Sequence, residues 1–172
     1  MSKKPYIVIL GAGESGVGTA LLAIQKGYEV FVSDKSEIKE KYKAVLIENQ
    51  IPFEEGSHDV ERILKADWVM KSPGIPDKVP LVKQLKEKGI PVISEIEFAA
   101  QYTQATIFGI TGSNGKTTTT MMLYHILQKA GFNVAEGGNI GESFAALVAQ
   151  DKHEYYVLEL SSFQLDGIVK YK

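Results

Sequence analysis

Twice along this sequence a short apolar run passes straight into a glycine-rich loop and then into a helix-length stretch. The first is "YIVILGAGESG" leading into "VGTALLAIQKG" (6–27), the second "TIFGITGSNGKTTTTMMLYHILQKAG" (106–131). Between and after them, short apolar runs keep alternating with longer amphipathic stretches, the pattern of βαβ units and a mainly parallel sheet. The spacing predicts strands at Tyr6–Leu10, Glu29–Ser33, Trp68–Lys71, Val92–Ile93, Thr106–Ile110, Asn133–Ala135 and Tyr155–Leu160. Helices are expected at Gly16–Lys26, Ile38–Asn49, Val60–Lys65, Val79–Lys88, Glu95–Gln101, Lys116–Ala130 and Glu142–Ala149.

A length of 172 residues allows one or two domains. "LVKQLKEKG" stops at Gly89 with Pro91 close behind, and Ser94 with Glu97 then forms a capping box that starts a new helix. The expected boundary therefore falls near Ser94, dividing the chain into units 1–93 and 94–172. A net charge of −2 offers no basic field for nucleic acid or an anionic membrane, and without cysteine there is neither a disulfide framework nor a thiolate metal site. No apolar run has the length of a membrane span, and "MSKKPYIVIL" lacks the features of a signal peptide. The chain reads as a soluble cytoplasmic protein.

In the first loop, Gly11-x-Gly13-x-x-Gly16 follows a strand and opens a helix, the context in which such glycines matter. The first permits a tight bend, the second lets backbone approach a phosphate, and the third allows close helix–strand packing. Asp34, at the end of the next strand, stands where a carboxylate could accept from a sugar hydroxyl. The backbone senses pyrophosphate and not the ring attached to it, so a nicotinamide or flavin dinucleotide and another phosphate-bearing ligand both fit. A tight turn with no ligand is the plain alternative.

The second loop departs by one residue from the usual phosphate-loop pattern, since Ile110 stands where the first glycine is expected. Its working parts are nonetheless present. Gly112 and Gly115 free the backbone, Lys116 supplies a point charge for β- and γ-phosphates, and Thr117 can place its hydroxyl on Mg²⁺. Four threonines opening a helix are costly for propensity, as expected where function overrides local preference. Glu159 interrupts the apolar run "YYVLELSSF" and is the candidate acidic partner; a glutamate at the exposed end of an edge strand is the alternative. Asn139, in "EGGNIG", sits in a glycine-rich turn that could aim it at a phosphate or a metal-bound water. His58, His125 and His153 fall on surface or helix positions and receive no role.

"GITGSNGKTT", "GGNIG" and "LELSSFQL", in that order after a glycine loop and an "SPGIP" turn, resemble the Mur ligases of peptidoglycan synthesis, and the likeness runs from the first strand to Lys172. That family's phosphate loop has the form G-x-T-G-x-N-G-K-[ST], so the extra residue is its normal spacing. The resemblance implies a Rossmann-like N-terminal domain with a parallel sheet, followed by the first part of a P-loop α/β ATP-binding domain. ATP would be cradled by Gly112, Ser113, Asn114, Gly115, Lys116, Thr117 and Thr118, with Thr117 and Glu159 serving Mg²⁺. A uridine nucleotide substrate would lie on Gly13, Glu14, Ser15 and Gly16, with Asp34 and Lys35 near the uracil. Ser72, Pro73 and Gly74 would line the same pocket, and Asn139 and Ser161 would face the substrate. Lys116, Glu159 and Asn139 would carry the catalytic work.

The implied reaction is ATP-driven addition of D-glutamate to UDP-N-acetylmuramoyl-L-alanine through an acyl phosphate. Another ligase of the same pathway is the alternative, with a dinucleotide-dependent oxidoreductase or a regulatory P-loop switch more distant. Family members run to three domains, so the resemblance also implies that this chain stops inside the central one and cannot ligate alone. It would lack a metal-binding histidine, a carbamylated lysine and the C-terminal domain that receives D-glutamate. The whole enzyme is expected to be a monomer, whereas an unpaired sheet edge in the fragment would invite self-association.

Overall fold

A computed structural model describes residues 4–168 and contains two parallel sheets. The first is built from β1 (Tyr6–Leu10), β2 (Glu29–Ser33), β3 (Phe53–Glu54), β4 (Trp68–Lys71) and β5 (Val92–Ile93), in the order β3-β2-β1-β4-β5. Its helices are α1 (Glu14–Gln25), α2 (Glu40–Glu48), α3 (Val60–Ile63) and α4 (Pro80–Glu87). α5 (Glu95–Ala100) leads to the second sheet, β6 (Thr106–Ile110), β7 (Val134–Gly138) and β8 (Tyr155–Glu159), in the order β6-β8-β7. α6 (Lys116–Lys129), α7 (Phe144–Gln150) and α8 (Ser162–Leu165) complete the described chain.

All five residues of β1 are buried, as a central parallel strand requires. Alternation sends Ile7 and Ile9 to one face and Tyr6, Val8 and Leu10 to the other, where they meet Phe31, Ile63, Val69 and Leu85. The Ile7 face continues without a break into the second sheet: α1, α5 and α7 form a shared helical layer whose apolar cluster includes Leu22, Phe98, Phe144 and Tyr156. α1 and α7 cross closely because Gly18 has no side chain; a Cβ there would run into the Ser143 hydroxyl. The opposite face of the second sheet carries α6, of which only Thr120 is buried, while Met121, Met122 and Ile126 are exposed.

Several element bounds differ from the sequence reading. β3 was not expected, and a two-residue strand offers no alternation to read. β7 runs through Glu136, Gly137 and Gly138, residues read as a turn, because these glycines pair with Leu158 and Glu159 of β8. α1 begins at Glu14, two residues earlier than expected. α8, absent from the sequence reading, is held by a reciprocal capping box between Ser161 and Gln164.

Candidate functional site

In the first sheet the strand order reverses beside β1, so the ends of β1 and β4 diverge and leave the crevice in which open α/β sheets take ligands. Parallel pairing puts Leu10 level with Lys71, which delivers the glycine loop and the "SPGIP" turn to the same end of the sheet. The Ser72 N–H donates to the Leu10 carbonyl at 3.0 Å, and a Cβ on Gly11 would lie only 2.6 Å from Ser72 Oγ. Gly16 packs so tightly under the loop that a Cβ would run into the Gly11 carbonyl oxygen. Gly13 is different: its Cβ direction is open, with no heavy atom within 4 Å. The three glycines thus divide into two packing positions and one that leaves room on the outer side.

Asp34, expected to meet a sugar hydroxyl or the uracil, is engaged by backbone N–H groups. Its Oδ2 accepts the Ala12 N–H at 2.7 Å and its Oδ1 the Ser36 N–H at 2.9 Å, while the neighbouring Lys35 is exposed. Glu14, in the first turn of α1, accepts from the Tyr42 hydroxyl at 2.9 Å. His58 is not a loose surface group: its Nδ1 lies 2.7 Å from the hydroxyl of the fully buried Ser33, which also donates to Glu54 at 2.6 Å.

The second site gathers around Glu159. This residue ends β8, the middle strand of its sheet, and is only 3% exposed, so it is not a glutamate on an open edge. The Thr117 hydroxyl donates to Oε2 at 2.6 Å and the Asn139 amide to Oε1 at 2.8 Å, while the Asn139 N–H takes the Glu159 backbone carbonyl at 2.8 Å. These donors, led by Thr117, hold the Glu159 carboxyl below its ordinary range despite burial, and the Lys116 charge acts in the same direction. Gly138, at φ +96°, brings the Asn139 loop this close, since a Cβ would run into the Glu159 carbonyl oxygen. The apparent turn glycines of "GGNIG" are thus a strand end and a close approach.

Gly115 caps α6 in the left-handed conformation, φ +76°, and Lys116 and Thr117 open the helix. A lysine there opposes the helix dipole, a cost that a bound anion would remove. Lys116 Nζ meanwhile donates to the Gly112 carbonyl at 2.8 Å, folded back on its own loop.

Between the two sheets lies a cleft of about 1040 Å³, lined by Pro73 and Gly74 from one side and Asn139 and Ser161 from the other. These four expected site residues therefore share one space. Gly13, Glu14, Ser15, Gly16, Asp34, Lys35 and the phosphate loop 112–118 do not line it, and Ser72 lies just behind it against Gly11. Ser161 engages first in capping α8, accepting the Gln164 N–H at 3.3 Å. The sequence reading missed Lys71, Asp77, Lys86 and Phe163, which also line the cleft. Asp77 sits between Lys86 at 2.7 Å and Lys71 at 3.2 Å, and hydrogen bonds from these lysines, Lys86 first, lower its carboxyl. The available signal was Lys71, a charge ending a buried strand next to "SPGIP".

The chain has matches among known proteins. The Mur ligase MurD-like N-terminal domain family matches residues 5–94, more than half of the chain, and the Mur ligase middle domain family matches residues 110–172. The chain belongs to the Mur ligases, in their MurD-like branch. Among relatives of this Mur ligase chain, UDP-N-acetylmuramoylalanine–D-glutamate ligase from Christiangramia forsetii is 58% identical over 172 residues, which is 100% of this chain and 38% of the relative. The protein of the same name from Bacteroides fragilis is 59% identical over 166 residues, 96% of this chain and 37% of the relative. The chain thus spans well under half the length of the curated relatives it matches. Among solved structures, the pseudomurein peptide ligase type C from Methanothermus fervidus aligns at 30% identity with a TM-score of 0.56, covering 91% of this chain and 33% of that one. The UDP-N-acetylmuramate:L-alanyl-gamma-D-glutamyl-meso-diaminopimelate ligase from Neisseria meningitides shares the fold at 23% identity and a TM-score of 0.61, covering 91% of this chain and 52% of that one.

Proposed function

We propose that this Mur ligase chain is the nucleotide-handling part of a UDP-N-acetylmuramoyl-L-alanine:D-glutamate ligase. The observation that carries the reading is the Thr117–Glu159–Asn139 cluster, brought by Asn139 to the same cleft as the "SPGIP" turn. The relatives at 58% and 59% identity bear the name of that ligase. No helix among the described residues is long and apolar enough to cross a membrane.

The residues present suit Mg²⁺: a threonine hydroxyl, a carboxylate and a carboxamide are hard oxygen donors, gathered on a carboxylate held ionised. Thr117 and Glu159 would hold the ion, which when bound supplies neutralisation of phosphate charge. The chain's own groups do the rest. The 112–118 loop wraps the phosphates of ATP, and Lys116 leaves the Gly112 carbonyl to meet the β- and γ-oxygens. Asn139 holds Glu159 and turns its loop toward the substrate carboxylate. The uridine pyrophosphate lies on the open side of Gly13 and the N-terminus of α1, with Ser72, Pro73 and Gly74 beside it. The substrate carboxylate attacks the γ-phosphorus of ATP, giving an acyl phosphate as the bond to ADP breaks; the amine of D-glutamate then attacks the acyl carbon, and phosphate leaves as the amide forms and the amine loses a proton. D-glutamate would be received outside this span, which covers 38% of the Christiangramia forsetii relative.

Calorimetry on the chain tests the allocation of the two loops. UDP-N-acetylmuramoyl-L-alanine should bind detectably and Mg-ATP feebly, with no substrate-dependent phosphate release. The reverse affinities would overturn the allocation, and phosphate release would overturn the division of labour.

A further inference from the structure

Glu95 is an acid whose burial local rules do not explain. It opens α5, yet it is 1% exposed, enclosed where α5 meets α1 and α7. Its Oε1 accepts the Ala145 N–H at 2.9 Å, in the first turn of α7. The hydroxyls of Ser15 and Ser143 and the Phe144 N–H also face the carboxyl, although Oε2 has no hydrogen bond of ordinary geometry. Burying such a group costs several kcal/mol unless donors surround it, so an apolar residue here would be the expected choice for stability alone.

Its neighbours explain the position. Ser15 belongs to the first turn of α1, on the pyrophosphate loop. Ser143 and Ala145 begin the helix that follows Asn139, in the loop whose Gly138 N–H is tied to the Glu142 carbonyl at 3.0 Å. One carboxyl therefore lies against both α1 and the start of α7, behind the cleft and close to where Gly18 lets these two helices approach.

The geometry points to Glu95 as a positioning residue that sets the distance between the glycine loop of the first sheet and the Asn139–Glu159 cluster of the second. It touches neither substrate nor metal; it acts through Ser15 and the start of α7. The consequence for ligand binding rests on the function proposed above, but the effect on sheet-to-sheet spacing does not.

The chain has no cysteine, so paired spin labels can be placed without background at two exposed sites, Glu48→Cys on α2 and Lys129→Cys on α6. Electron–electron distance measurement should give one narrow distribution in the otherwise unchanged chain and in Glu95→Gln, which keeps an acceptor of the same reach. Glu95→Leu, which keeps the volume and loses the acceptor, should widen the distribution or add a second distance. Ala145→Pro removes the donor from the other partner at a position near the helix start, and should do the same if Glu95→Leu fails to fold. Affinity for UDP-N-acetylmuramoyl-L-alanine should fall about tenfold or more with the widening and be kept by Glu95→Gln, as expected for ångström-scale misplacement. An unchanged narrow distribution in Glu95→Leu or in Ala145→Pro would overturn the inference, as would equal widening in Glu95→Gln. If the unsubstituted chain failed to bind the nucleotide, the proposed function would fall while the distances still decided the role of Glu95.

Discussion

The units β1–α1 and β6–α6 share one local plan, a five-residue strand, a glycine loop and a helix, set in different surroundings. α1 lies between its own sheet and α7, and buries Val17, Ala20, Leu22 and Ala23. α6 covers one face of its sheet, buries only Thr120, and turns Met121, Met122 and Ile126 outward. β6 follows suit: no residue of it is buried, and among the described residues it pairs only with β8. Their helix starts differ as well. Glu14 opens α1 with a charge that suits the dipole, whereas Lys116 opens α6 with one that opposes it. The same sequence plan thus yields one helix packed on two sides and another packed on one.

The sharpest way to break this comparison is to truncate one apolar side chain in each helix. Leu22→Ala should cost about 2–5 kcal/mol of unfolding free energy through the cavity it leaves. Met122→Ala should cost roughly 0.5 kcal/mol or less, as for other exposed sites. Urea unfolding measures both, and a similar loss for the two would mean that α6 is packed as firmly as α1.

A smaller effect should come from the joint that covers α1 and has no counterpart on α6. Gly18→Ala forces a methyl toward Ser143, which caps α7, and should cost about 1–3 kcal/mol as overpacking. Gly74→Ala, with open space around it and no positive φ, should be near neutral. Thermal melting of the two variants would show whether close approach, or mere loss of glycine, sets the cost.

The smallest effect concerns the polar tie of the second unit. Hydrogen bonds from Thr117 and Asn139 hold the Glu159 carboxyl below its ordinary value of 4.5, so its stabilisation is present above that value and is lost as pH falls through the lower folded one. Glu159→Gln should remove this acid dependence while leaving the first sheet untouched. The check is the slope of the urea midpoint against pH below about 5, where the variant's curve should be the flatter one. Equal slopes would place the acid sensitivity elsewhere.

Most strands were legible because their apolar runs are short, bounded and separated by helical spacing; Tyr6–Leu10, Glu29–Ser33, Trp68–Lys71, Val92–Ile93 and Thr106–Ile110 stand where the sequence reading put them. β3 was too short to have a period, and the Gly137–Gly138 end of β7 was hidden because glycine disfavours strands except where another chain segment holds it there. The pairing of Glu159 with Thr117 was legible as chemistry, a threonine after a phosphate-loop lysine and an acid in an apolar strand. The hydrogen bond from Asn139 required β7 and β8 to lie side by side.

What the sequence determined by itself was therefore local: the alternation of strand and helix, the two loops, the capping signal at Ser94, and the residue types able to hold phosphate and a hard cation. Tertiary structure alone decided which of these meet. Glu95 suits the local preference for an acid in a helix's first turn, and only the packing of α5 against α1 and α7 buries it and brings it to the Ala145 N–H. Local patterns follow from backbone geometry over a few residues; burial and coordination arise between residues tens of positions apart, as do Gly18 and Ser143, where the packing of two helices fixes the distance.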